Sequence, residues 1–271
     1  MAGCSVLRVA YSQAPDLAYW WLDGYVDFDD TQTPLARDAL ARWFAWHRRA
    51  QLPAITEALS RAQAEILADT TPERACFWWN WVRERGREAA EQAVPATADL
   101  MTRLTPAQVK HLERRQEKAN AEFRDDYLAA DPAERQRASA TRAVERAEMV
   151  YGRLDEAQRE RIAATVATSP FDADTWFGER QHRQRDTVAL LRQLVGERPA
   201  PEAAQAAVRA WVGHFDRSPR EPYRRYSERL TQFNCSFAAS LHNATTPAQR
   251  QAAAQKLRRW ELDLRAVAAA D

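Results

Sequence analysis

The feature that most constrains this chain is a helix-start signal, clearest in LTPAQVKHLERRQEKANAEFRDDYL over 104–128. Thr105 is a good N-cap, and Pro106 suits the first helical position, where its missing N–H costs nothing. Gln108 stands three residues after the cap, as a capping box requires, and Leu104 and Val109 hold the two positions of a hydrophobic staple. Behind them Val109, Leu112, Gln116, Ala119, Phe123 and Tyr127 recur at three- and four-residue steps. That spacing gives a helix with one packing seam and a charged outer face.

The signal recurs down the chain. Thr33-Pro34, Thr71-Pro72, Asp131-Pro132-Ala133-Glu134, Leu154-Asp155-Glu156-Ala157-Gln158 and Thr246-Pro247-Ala248-Gln249 each open a stretch of helical periodicity. So do Ser218-Pro219-Arg220-Glu221, and either Ser169-Pro170 or Asp172. Pro15 and Pro53 bend or restart helices, and Pro95 begins a short connector into Leu104. Alternating strand patterns are missing, and the 7 glycines stand singly, so no glycine-rich phosphate loop exists. The expectation is an all-α fold of about ten helices, an antiparallel bundle of elongated or curved outline. After Ser218 the seam is Tyr223, Tyr226, Leu230, Phe233, Phe237 and Leu241, and the short link at 243–246 predicts that this helix and the last form an antiparallel hairpin. Residues 1–15 read as a tether and 16–271 as one helical domain, or as two lobes, 16–98 and 104–271.

Hydrophobic residues make up 45% and charged residues 28% of the chain, the balance of a folded protein. Net charge is only +1, and 36 of the 39 basic residues are arginine. Acids interleave with them, as on solvated helical faces, so no nucleic-acid partner is expected.

Polar residues interrupt two seams. Gln116 and Asn120 do so in the 104–128 helix, and Arg180, Gln181, Arg183 and Gln184 do so between Phe177 and Val195. Either the two helices face each other through a hydrogen-bonded layer, or both line a groove. The run Phe77–Trp81 points aromatics all round its helix, with Phe77 and Trp81 on one side and Trp78, Trp79 and Val82 on another. One side meets the core; the Phe77/Trp81 side is either covered by the N-terminal helices or left as a contact patch. Asp23, Asp27 and Asp30 form an acidic helical side expected to pair with arginines such as Arg37 or Arg48. Glu179-x-x-His182 has no second copy, so neither a metal site nor a cofactor is expected. No nucleophile, zinc-protease or P-loop motif occurs, and the chain reads as a non-enzyme.

Ala2-Gly3-Cys4-Ser5 has the form of the end of a bacterial lipobox, with Cys4 as the residue that would carry lipid. With RVAYSQA, WWLDGYVDFDDTQ, WHRRAQLP, the 104–128 stretch, RLDEAQRERI, WFGERQHRQRD and LHNATTPAQR in this order, it resembles a family of Gram-negative lipoproteins known only as a domain of unknown function. The chain departs from that pattern at Met1, Pro15 and the tryptophan-rich 77–81 run. The resemblance implies a lipid on Cys4, a helical periplasmic body and no established activity. It also implies an outer-membrane address from Ser5, an unknown envelope protein as partner, and membrane contact through the lipid alone. The repeated Leu-Thr/Asp-x-x-Gln starts also look like those of periplasmic chaperones of the Spy/CpxP type. In that oxidising compartment Cys76 and Cys235 either pair as a disulfide or sit as free thiols at helix contacts.

Overall fold

The computed structural model describes residues 6–128 and 131–269, which are helical and without strands. The order is α1 (Val6–Val26), α2 (Gln32–Trp46), a π turn (His47–Gln51), α3 (Leu52–Glu65), α4 (Pro72–Thr102), α5 (Pro106–Tyr127), α6 (Pro132–Tyr151), α7 (Glu156–Ala167), α8 (Ala173–Glu197), α9 (Pro201–Asp216), α10 (Glu221–Asn243) and α11 (Pro247–Ala269). The π turn joins α2 and α3 into one rod, leaving ten rods among the described residues. It lies just before Pro53, whose ring would clash with a carbonyl four residues back in an unbroken α-helix.

Packing is mostly between helices distant in sequence. α3 lies on α11, α4 on α9 and α10, α5 on α8, and α1 on α2, α5 and α11. Small clusters share the core. Val94 and Ala98 pack with Leu194, Ala204 and Val208; Leu104 and Val109 with Val188 and Leu191; and Ala147 with Leu154 and Ile162. The molecule exposes 16031 Å². A compact monomer of its 31.0 kDa would expose roughly 12000 Å², so the body is open.

The helix starts do more than begin helices. Thr105 and Gln108 form a complete capping box, as do Asp155 and Gln158. Thr246 with Gln249 and Asp29 with Gln32 make the same two reciprocal bonds. The four boxes then dock in pairs, head to head. Gln108 Nε2 donates to Gln32 Oε1 (2.6 Å) and to the Asp27 carbonyl (2.7 Å), while Gln32 Nε2 donates to Gln108 Oε1 (3.2 Å) and to the Arg103 carbonyl (2.9 Å). Gln158 and Gln249 repeat the pattern. Gln158 Nε2 reaches Gln249 Oε1 (2.8 Å) and the Ala244 carbonyl (3.0 Å); Gln249 Nε2 reaches Gln158 Oε1 (2.9 Å) and the Arg153 carbonyl (3.0 Å). In every case the carbonyl lies two residues before the partner box's cap. Both donors and the oxygen of each amide are satisfied, which lets Gln32, Gln108 and Gln158 be buried.

Several sequence expectations change here. α4 runs through Pro95 without a break, because Val94 and Ala98 are buried against α8 and α9 and that packing outweighs the lost hydrogen bond. α1 likewise continues through Pro15. The second helix starts at Gln32 under Asp29, not at Thr33. Asp131 caps α6 through Ala133 N without a return bond from Glu134. Ser218 Oγ accepts from Arg220 N, and α10 begins at Glu221 with no side-chain cap. α10 and α11 do not fold back as a hairpin: the clasp to Gln158 holds the start of α11, which runs along α3, α1 and α6. α1 ends at Val26, so Asp23, Asp27 and Asp30 share no helical face; Asp23 accepts from Phe28 N, and Arg37 pairs with Asp16.

Candidate functional site

Cys76 on α4 and Cys235 on α10 form a disulfide, with Cα atoms 5.2 Å apart across 159 residues of chain. The bridge fixes α10 on α4 at Cys235, which is buried with Ala239, while buried His242 on the same helix bonds Tyr151 of α6 and the Ala68 carbonyl. Of the aromatic seam of α10, Tyr226 is buried and the rest faces elsewhere. Leu230, Phe233 and Phe237 are only half-buried and wall a groove. This corrects the expectation that they sit in the core.

That groove, of about 820 Å³, runs between α5, α6, α8 and α10. One wall is a stack of rings: Tyr127 on Phe123 at 4.6 Å, and Phe123 on Trp176 at 4.9 Å, with interplanar angles of 15° and 20°. Arg142 lies over Tyr127 at 4.6 Å and Arg180 over Phe123 at 5.9 Å.

A larger groove, of about 1400 Å³, lies on the other side of Trp176, between α4, α8, α9 and α10. Trp79, 50% exposed, and Phe215, 45% exposed, stand in its walls with Trp211 and Tyr223. Four of its six arginines meet acids: Arg83 meets Asp216 at 2.6 Å, Arg87 meets Glu84 at 2.5 Å, and Arg209 meets Glu91 at 2.7 Å, while Arg224 donates to the Ser218 and Pro219 carbonyls. Arg183 meets Glu179 at 3.1 Å. The hydrogen bond from Arg209 holds the Glu91 carboxyl below its ordinary range, and burial pushes the Tyr223 phenol up.

The polar seam residues divide. Asn120 and Gln184 exchange amide hydrogen bonds at 2.7 and 3.0 Å, and Arg180 Nε donates to Asn120 Oδ1 at 2.9 Å. These three form a bonded layer between α5 and α8. Arg183 faces the other way, to buried Glu179, which also lies 3.6 Å from Arg220. Glu179 is thus held by arginines, while His182 Nδ1 meets Arg185 in solvent. Gln116 and Gln181 are half-buried on the same two helices. Phe77 is 41% exposed under Arg74, which lies 4.1 Å from its ring, and Trp81 is half-buried. Trp79 and Val82, on the other side, are more exposed than either. The most exposed aromatics are Trp20 and Trp21 on α1, at 62% and 65%. Cys4 lies outside the described residues. Sequence reasoning missed the Gln32–Gln108 and Gln158–Gln249 pairs and the role of Trp176 between the grooves; the shared spacing of the four boxes was the available signal.

A family model described as a family of unknown function (DUF6279) matches residues 24–201. The chain belongs to that family. The DUF6279 match reaches from the last turn of α1 to the first residue of α9. It takes in the Gln32–Gln108 clasp, the bonded layer and the ring stack, while Cys235 and the α10 walls of both grooves lie beyond it. No curated protein and no solved structure matches the chain. No helix among the described residues is long and apolar enough to cross a membrane, and no three His, Cys, Asp or Glu side chains among them converge as a metal-holding group.

Proposed function

We propose that this chain is a non-enzymatic binding protein of the cell envelope, held to the periplasmic face of the outer membrane by a lipid on Cys4. In this reading it shelters exposed apolar segments of other proteins, as a chaperone does, in its larger groove. The observation that carries it is that groove itself: about 1400 Å³ of open space flanked by Trp79 and Phe215. Its matched arginine–acid pairs leave it without a dominant sign, which suits segments of varied sequence. The disulfide suits an oxidising compartment. Trp20 and Trp21, on the first helix after Cys4, are residues that favour a lipid–water boundary. The likeness of the Leu-Thr/Asp-x-x-Gln starts to Spy/CpxP-type chaperones points the same way.

The bonded Asn120–Gln184 layer favours a second reading, a structural or assembly subunit of the envelope without a ligand groove. The open grooves weigh against it.

One preparation tests the first reading. Protein isolated from its own host's membranes carries a diacylglycerol-plus-acyl mass increment at Cys4 and delays the aggregation of a reduced, unfolding client. The Trp79→Ala/Phe215→Ala variant loses most of that delay. An unmodified mass sinks the anchor, and aggregation at the same rate with and without the wild-type protein sinks the chaperone-like activity.

A further inference from the structure

The smaller groove differs from the larger one in its charge. Four arginines line it, Arg135, Arg142, Arg146 and Arg180, against two acids, Asp172 and Asp174. Asp172 is already engaged: it caps α8 through Thr175 N, and Arg135 acts on it electrostatically. Arg142, Arg146 and Arg180 meet no carboxylate in an ion pair among the described residues, in contrast to Arg83, Arg183 and Arg209 across Trp176. Two of the three rest on the ring stack instead, Arg142 over Tyr127 and Arg180 over Phe123. Arg142 donates from Nη2 to Ser139 Oγ at 3.1 Å and Arg180 from Nε to Asn120, and an arginine on an aromatic face keeps its remaining outer N–H groups for an anion.

Opposite the ring stack the wall is largely apolar, while Gln136, Ser139, Ser169 and Asn234 add polar groups to the rest of the lining. Phe171, 40% exposed, and half-buried Phe233 and Phe237 face the stack, with Val166 and Ala167 between. The volume, about 820 Å³, falls in the range of roughly 300–1000 Å³ that small-ligand sites occupy. It is small for a folded partner.

We propose that this groove binds an anionic amphiphile: a small molecule with one acidic head group, seated among Arg142, Arg146 and Arg180, and an apolar body lying on the rings. Charge complementarity sets the sign of the head, and the aromatic wall sets the body. The site stands whether or not the larger groove shelters polypeptide, because its unmatched arginines are its own and it shares only Trp176 with that groove.

Calorimetric titration of the full chain with dodecyl phosphate, below its micellar concentration, tests the site. Inorganic phosphate and dodecyl maltoside are run beside it. Dodecyl phosphate binds saturably at one site, and the other two bind at least about tenfold more weakly. Arg146 is exposed and carries no ion pair, so Arg146→Gln leaves the fold intact and weakens dodecyl phosphate about tenfold. Arg142→Gln acts in the same direction. Arg259→Gln, on the exposed face of α11, changes nothing. Four outcomes overturn the proposal: no saturable binding; equal affinity for the maltoside, which marks a merely apolar cleft; equal affinity for inorganic phosphate, which marks a plain anion site; or affinity indifferent to both Arg146→Gln and Arg142→Gln.

Discussion

At the scale of residues, amide side chains do unusual structural work. Gln158 fills four hydrogen bonds from one amide, counting its acceptance from Asp155 N at 3.1 Å. Removing it takes all four bonds of a buried amide, leaves the half-buried Ala244 carbonyl without its partner and costs Gln249 two of its bonds, and groups left unsatisfied in this way cost about 1–3 kcal/mol each. Gln158→Ala is therefore expected to lower unfolding free energy by about 2–4 kcal/mol in a urea titration, where Gln249→Ala added to it costs little more. Tyr151 offers a different test. Its phenol bonds His242 Nδ1 at 2.9 Å, while His242 Nε2 donates to the Ala68 carbonyl at 2.7 Å. Burial pushes that phenol up from 10.0 to about 12. A group raised in the fold contributes stability that is complete below its unfolded value and is lost as pH rises through its folded one. Stability should thus decline between pH 10.0 and about 12, and the Tyr151→Phe variant should show a shallower decline over that window.

At the scale of elements, the sequence made most helices legible, because capping residues act locally. Thr71, Thr105, Asp155 and Asp172 all cap as their positions require. What it could not show is which of two apolar stripes on a helix is covered. On α10 the wide aromatic seam reads as the core face, yet Tyr226 alone of it is buried, and Cys235 and Ala239 on another stripe are buried where the disulfide draws α4 close. The groove exists because the larger residues were left over. Pro95 misled for a related reason: tertiary packing sets helix length as much as local breakers do. The α4–α10 bridge makes a quantitative prediction. Closing 159 residues of chain is worth up to about 5 kcal/mol in the chain-entropy account, a large share of the roughly 5–15 kcal/mol that holds a domain together. Reduction, or Cys76→Ser, should lower the urea midpoint sharply with the helical circular dichroism unchanged in native buffer. An unchanged midpoint would mean that the two helices are held as firmly without the bond.

At the scale of the whole molecule, about ten helices follow from the pattern of caps, and the open body follows from their packing at long range. The distinction between the two grooves was not legible at all. Arginines and acids alternate along α4, α6 and α8 in similar proportion, and only the fold decides which meet. The larger groove nearly balances its arginines with acids; the smaller one does not.

The two glutamine clasps divide the chain into successive closed circuits. Gln32 meets Gln108, and only after that circuit is complete does the chain reach Gln158, which meets Gln249. Neither circuit encloses the other. A chain that emerges from its N-terminus can therefore finish the first while the second is still being delivered. Cys76 belongs to the first circuit and Cys235 to the second, so their bond ties together two circuits whose helices also pack on one another, α3 on α11 and α4 on α9 and α10. Its formation marks when α4 and α10 have met.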